Sequence, residues 1–219
     1  GFYKRYSDYP VSVRDSVSLA NKGGGFEVLG SEPIETVGKG RSYGAELLFQ
    51  QKLSNNFYGI FSYTWFYSEF TAFDSERYLP SVWDSRHLVS FVGGYKFGRN
   101  WEFSARYRFA GRTPFVPTDL EATLETYPEV ILDYSRLGEE KLDIFSQLDI
   151  RLDKKWNFEN FAFDVFIEFQ NVLSQDIPSP PEYGLNRDSS GAIIDPRSLV
   201  EIPQGEGQFI PSLGIVIDF

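Results

Sequence analysis

The sequence contains no cysteine, no methionine and a single histidine, and it has no apolar run long enough for a helical membrane span. Without cysteine, neither a disulfide nor a thiolate metal site can hold the fold, and one histidine excludes a multi-histidine metal centre. A spanning helix needs roughly 18 to 20 consecutive apolar residues, so if a bilayer is involved the chain must cross it with strands. Basic residues are in the minority, 21 Lys and Arg against 31 Asp and Glu, for a net charge of -10. No basic patch with interleaved aromatics is present, so nucleic acid is not an expected partner. No signal peptide precedes "GFYKRYS", which already reads as a strand; the expectation is that the N-terminal part of a longer protein is missing.

Aromatic residues are abundant. The chain holds 21 Phe, 13 Tyr and 4 Trp, more than one ordinary core would use, and they recur at every second position. In "RSYGAELLFQQKL", Tyr43, Ala45, Leu47, Phe49 and Leu53 share one face, with Glu46 and Gln50 on the other. "FYGIFSYTWFYSEF", "HLVSFVGGYKF" and "WEFSARYRFAGR" repeat the pattern, the last with Trp101, Phe103, Ala105, Tyr107 and Phe109 alternating with Glu102, Ser104, Arg106, Arg108 and Ala110. "LDIFSQLDIRLDKKW" sets Ile144, Leu148, Ile150 and Leu152 against Gln147, Asp149, Arg151 and Asp153, and "FAFDVFIEFQNVL" sets Phe163, Val165, Ile167 and Phe169 against Asp164 and Glu168. With the opening segment and the closing "FIPSLGIVIDF" this predicts about eight strands and no convincing helix.

Alternation alone does not say which face is inside, because a soluble barrel and a membrane barrel share the period of two. Three features decide. The strands run to about 10 to 14 residues, which at roughly 3.3 Å per residue and a tilt near 40° spans a bilayer core. Short polar turns ("SNN", "GRN", "NFEN") alternate with long connections over 8–39, 71–86, 114–141 and 174–208, the asymmetry of a barrel whose two ends face different compartments. The polar face carries Glu46, Glu102, Arg106, Arg108, Arg112, Asp149, Arg151, Asp164 and Glu168, too many charges for a small dry interior but suited to a wide wet or protein-filled lumen. The fold expected is therefore an all-β transmembrane antiparallel β-barrel, with Phe57, Phe97, Trp101, Trp156 and Phe161 in an interfacial girdle at the turn end.

Enzyme-like groupings are weak. His87 in "WDSRH" has Asp84, Ser85 and Ser90 nearby, but the alternation puts it on the face of Val89 and Phe91, where an interfacial polar anchor is the better reading. Glu139 and Glu140 are adjacent and point apart, which suits a solvated loop rather than an acid–base pair. "KGGGFE" at 22–27 lacks the strand before and helix after it that a phosphate loop requires. No enzyme, cofactor or metal is expected. The long connections are acidic, with Glu121, Glu125, Glu129, Asp133, Glu139 and Glu140 in one of them, and their Tyr127, Tyr134 and Tyr183 are weak candidates for stacking on a ligand.

The segments "GKGRSYGAELLFQQKLSNNFYGIFSYTWFYSEF", "YLPSVWDSRHLVSFVGGYKFGRNWEFSARYRFAGRTPF", "FDVFIEFQNVLSQ" and "PSLGIVIDF", in that order, resemble the C-terminal part of a TonB-dependent outer-membrane receptor. The resemblance covers nearly all of residues 1–219. It implies the last third or so of a barrel of about 22 strands, with the plug domain, the TonB-contacting segment and the earlier strands absent from this chain. It further implies uptake of a scarce nutrient (siderophore, peptide or glycan) at the bacterial outer membrane with TonB-supplied energy, the alternative being a passive porin or a surface-binding barrel. The implied partners are outer-membrane lipid and lipopolysaccharide, the N-terminal barrel and plug segments of the same protein, TonB and the barrel-assembly machinery, which would read Phe219 as its signal. Arg106, Arg108 and Arg112, expected on one face of one strand, would meet plug carboxylates or pair with Asp and Glu of neighbouring strands.

Overall fold

Asparagine makes the tight turns. Asn55 and Asn56 lie at φ 50° and 67°, and Asn100, beside Arg99, at 62°, backbone values that side chains such as asparagine tolerate and that match the twist of a hairpin. These turns join long strands in a computed structural model that describes residues 1–22 and 31–219; the glycine segment of "KGGGFE" lies outside the described residues. The eight long strands are β1 (Phe2–Ser12), β2 (Ile34–Ser54), β3 (Phe57–Phe70), β4 (His87–Phe97), β5 (Trp101–Ala110), β6 (Phe145–Asn157), β7 (Ala162–Gln170) and β8 (Ile210–Asp218). Each pairs antiparallel with the next in chain order, and among the described residues no pairing joins β1 to β8. The result is an open meander with one end of tight turns and one end of long connections.

The register fixes the two faces. Phe103 pairs with Leu152, Ala105 with Ile150 and Tyr107 with Leu148 on the apolar face, while Glu102 pairs with Asp153 and Arg106 with Asp149 on the polar one. The same parity carries through β7 and β8, where Ile167 opposes Leu213 and Val165 opposes Ile215. That apolar face is not covered by protein: Leu213 is 70% exposed, Ile215 61%, Phe49 60% and Leu47 58%. So much contiguous exposed hydrocarbon, backed by a charged face, suits lipid rather than water. The rings expected at the turn end stand there together, with Phe97 stacked on Trp101 at 6.3 Å and Lys154 over both Trp101 and Trp156.

The buried apolar side chains are elsewhere. Val11, Val17, Phe70, Val82 and Leu137, the ones buried among the described residues, all sit at the loop end, so the hydrophobic core of this chain lies under its connections and not within its sheet.

Three expectations need correction. The first connection is shorter than expected, because β1 runs on to Ser12 and β2 begins at Ile34; Val11 pairs with Glu35 and Ser12 with Ile34, so the hairpin rises beyond the other strands. The helix-free expectation fails over Leu120–Thr126, where the Asp119 side chain accepts from the Ala122 amide and caps an α-helix. Short 3₁₀ turns form at Leu19–Asn21 and Tyr134–Arg136, again behind Ser18 and Asp133 caps. The longest connection likewise folds a hairpin of its own, Glu182–Leu185 against Leu199–Ile202. Finally, Arg112 is not on the strand with Arg106 and Arg108. β5 ends at Ala110: the Gly111 amide makes a last bond to the His87 carbonyl at 2.8 Å, and Arg112 then leaves the ladder to donate to the carbonyls of Lys141 and Leu142.

Candidate functional site

On the polar face, side chains from adjacent strands meet as the alternation requires. Asp149, only 4% exposed, is its most connected group. It accepts from Arg106 Nε at 2.8 Å and Nη2 at 2.7 Å, from Gln147 Nε2 at 2.8 Å and from the Asn171 backbone N–H at 2.9 Å. Gln147 in turn accepts from Arg108. Asn171, at φ 50°, is the first residue after β7, so this carboxylate ties β5 and β6 to the root of the connection over 171–209.

Towards the turns a second network forms. Arg151 donates to Asp153 from both Nε and Nη2, lies 4.0 Å from Glu168, and stacks over Phe166, 3.5 Å from the ring centroid. Tyr58 donates to Glu102, which also faces Lys96 at 3.3 Å. Asp164 is opposite Lys155 in register, yet its Oδ1 is buried without a hydrogen-bond partner among the described residues. Glu46 stands opposite Thr64 on the same face and is exposed. All the expected strand charges therefore share one face, and both Arg106 and Arg108 find partners on the neighbouring strand.

At the loop end the connections are stitched together by groups that sequence pattern did not single out. Asn21 Nδ2 donates to the carbonyls of Leu79 and Pro80, joining the first connection to the second. Lys22, 6% exposed, bridges Asp15 and Glu32 and lies over the Tyr134 ring at 5.4 Å, joining the first connection to the third. No motif announces this cluster, because Asp15, Lys22 and Glu32 follow no regular spacing and Leu79, Pro80 and Tyr134 lie far along the chain from them. Burial opposes the charge on Lys22, but hydrogen bonds to Asp15 and Glu32 prevail and hold its pKa above the usual lysine value. Burial likewise raises Asp15, but the Lys22 and Arg14 contacts outweigh it and bring it below the ordinary range; Glu32 is lowered by its bonds to Lys22 and Ser12. Asp84, fully buried 3.1 Å from Arg86, moves the other way: burial pushes its carboxyl up.

These shifts have opposite signs in stability. The depressed Asp15 and Glu32 stabilise the fold at any pH above the ordinary carboxylate range, and that contribution is lost only as pH falls through their lowered values. The raised Asp84 disfavours the fold when ionised, and protonation relieves this as pH falls. Amide exchange followed from neutral pH into the acid range should show the Ser81–Arg86 segment hold or gain protection while residues 12–22 lose it once pH falls below the ordinary carboxylate range. Loss of protection in both segments at the same pH would contradict the assignment.

Between the sheet and the third and fourth connections lies a cavity of about 1370 Å³, lined among others by Arg112, Phe115, Phe145, Gln147, Asn171 and Gln208. Arg112 faces it with Asp143 at 3.7 Å. Tyr127, Tyr134 and Tyr183 are not among its lining residues. Tyr127 follows the short helix, Tyr134 lies under Lys22 and Tyr183 pairs with Glu201 in the outer hairpin, so the fold does not gather them into a stacking site. Glu139 and Glu140 both pair with Arg136. His87 stacks on Tyr63, with 2.9 Å between Nδ1 and the phenol oxygen, on the apolar face, while Asp84 is turned to Arg86. Phe219 follows β8 and is fully exposed.

The family model for the TonB dependent receptor-like β-barrel matches residues 1–172, from β1 through β7. The chain belongs to this family. Comparison with curated proteins and with solved structures finds no match. TonB-dependent receptor barrels are outer-membrane nutrient receptors of Gram-negative bacteria, and the matched span contains the whole polar network and most of the stitched loop end.

Proposed function

We propose that this chain forms part of the wall and outer vestibule of a receptor that imports a scarce nutrient across the outer membrane with energy supplied through TonB. The observation that carries this reading is the polar face: separate clusters of paired charges on an open sheet whose other face is exposed hydrocarbon. Such a face needs a polar filling, and Glu46, Arg106 and Arg108 stand exposed on it. A plug held against Arg106, Arg151 and Asp164 would supply that filling, and the loop-end cavity would be where ligand is first held. Transport, not catalysis, is the activity this arrangement serves, and siderophores, peptides and glycans are the substrate classes to survey.

The test is growth and uptake in cells carrying or lacking the full-length gene, on defined iron, peptide and glycan sources, with TonB present or deleted. Uptake of one class should require both the gene and TonB. Gene-dependent uptake that survives loss of TonB would replace this reading with passive diffusion.

A further inference from the structure

Near the loop end, the outward face carries an arrangement that neither transport nor the polar network uses. Tyr3, Tyr43 and Tyr67 stand opposite one another across β1, β2 and β3, with ring centroids 6.3 Å and 5.0 Å apart and the second pair nearly parallel at 4°. One outward position nearer the loops, about 7 Å along the strands, Arg5 and Arg41 are direct cross-strand partners. Arg86 joins them from the second connection, its guanidinium 3.5 Å from the Tyr67 ring centroid, while Arg41 lies over both Tyr43 and Tyr78.

Two like charges placed directly opposite each other on neighbouring strands repel. The carboxylate in this row, Glu69, is already held by Arg41 through Nε at 2.9 Å and Nη2 at 2.7 Å, and Asp84 is held by Arg86. Arg5 is exposed and makes no ion pair among the described residues. With Arg41 set against Glu69 and Arg86 against Asp84, the cluster keeps one uncompensated positive charge, Arg5, beside two guanidiniums stacked on the tyrosine ladder. Tyrosine bands mark the boundary between hydrocarbon and headgroups, and guanidinium groups just beyond them lie at headgroup height with a geometry suited to bidentate phosphate binding.

We infer that Arg5, Arg41 and Arg86, above the Tyr3–Tyr43–Tyr67 ladder, form a binding site for the phosphorylated headgroup of an outer-leaflet lipid. This rests on the reading of the chain as outer-membrane wall, with the loop end outermost. The lipid phosphate would sit between Arg5 and Arg41, offsetting their repulsion, while its acyl chains run down the apolar face past Tyr43, Ala45 and Leu47.

The test uses the full-length protein purified in detergent and titrated with bisphosphorylated lipid A, with the same lipid A after enzymatic dephosphorylation, and with inorganic phosphate, binding being followed by native mass spectrometry. The phosphorylated lipid should bind at least about tenfold more tightly than the dephosphorylated one, and the double change R5Q/R41Q should abolish that preference. R5Q alone, which removes no intramolecular ion pair, should lower it several-fold, so the result does not depend on the double variant folding. K154Q, at the turn end of the same sheet, should leave it unchanged. Equal binding of the two lipids, an undiminished preference in R5Q, or displacement of the lipid by equimolar inorganic phosphate would each overturn the assignment. Nutrient uptake does not enter this readout, so failure of TonB-driven transport and failure of lipid binding are separately visible.

Discussion

Replacing Ile150 by Arg in the full-length protein should destabilise it by about 2–4 kcal/mol, the cost of a guanidinium near the bilayer midplane on the lipid side of a barrel. Ile150 pairs with Ala105 on one side and Phe169 on the other, on the exposed apolar face. It lies six residues above Trp156, and at roughly 3.3 Å per residue with a tilt near 40° that is about 15 Å above the aromatic girdle, half the thickness of a hydrocarbon core. The matched control is Ser62→Arg, on the polar face opposite Leu48 and Ser90, which should cost much less because a wet or polar interior tolerates charge. Reversible folding into lipid vesicles, read from urea midpoints, measures both. Equal costs for the two variants would mean that the exposed apolar face does not meet lipid.

The second large effect is expected one residue away and on the opposite face. Asp149→Ala removes an acceptor that serves Arg106, Gln147 and the Asn171 amide at once. Hydrogen bonds to charged groups are worth about 1.5–3 kcal/mol each, and losing one partner of a buried pair strands the other. Because the Arg106 side chain is itself 46% exposed, the cost should fall near 2–3 kcal/mol rather than at the sum. Its local consequence is more distinctive: residues 171–175 lose their anchor to β6, so proteolysis and amide exchange should rise across the 171–209 connection while the turn end stays protected. Asp149→Asn, which keeps the shape but not the charge, should show a smaller version of both effects. Unchanged protection of 171–209 in Asp149→Ala would show that the connection is held by other contacts, such as the Val172 amide to the Leu148 carbonyl.

These two neighbours illustrate what pattern could reveal. Ile150 and Asp149 face opposite ways because successive residues on a strand must, so their separation onto two faces was legible as soon as the alternation was counted. The pairing of Arg106 with Asp149 needed the register of β6 against β5, which no tight turn fixes because the long third connection lies between them. Arg112 went wrong for a local reason: period two says nothing about where a strand ends, and only the structure shows that the ladder stops at the Gly111 amide, before Arg112. The short helix at Leu120–Thr126 was hidden because seven residues show too little periodicity, although Asp119 carried its capping signal.

By itself the sequence determined the all-β class, the number and order of the long strands, the face of each strand residue, and the asymmetry between tight turns and long connections. All of these follow from period two and from turn chemistry, which act over a few residues. Tertiary structure alone decided how the connections pack. Lys22 meets Asp15, Glu32 and Tyr134, Asn21 reaches Leu79 and Pro80, and Arg5 and Arg86 converge on one tyrosine ladder with Arg41. Apart from the Arg5–Arg41 pair, which the strand register sets, those contacts run through irregular backbone, where no repeating geometry links sequence spacing to spatial neighbourhood.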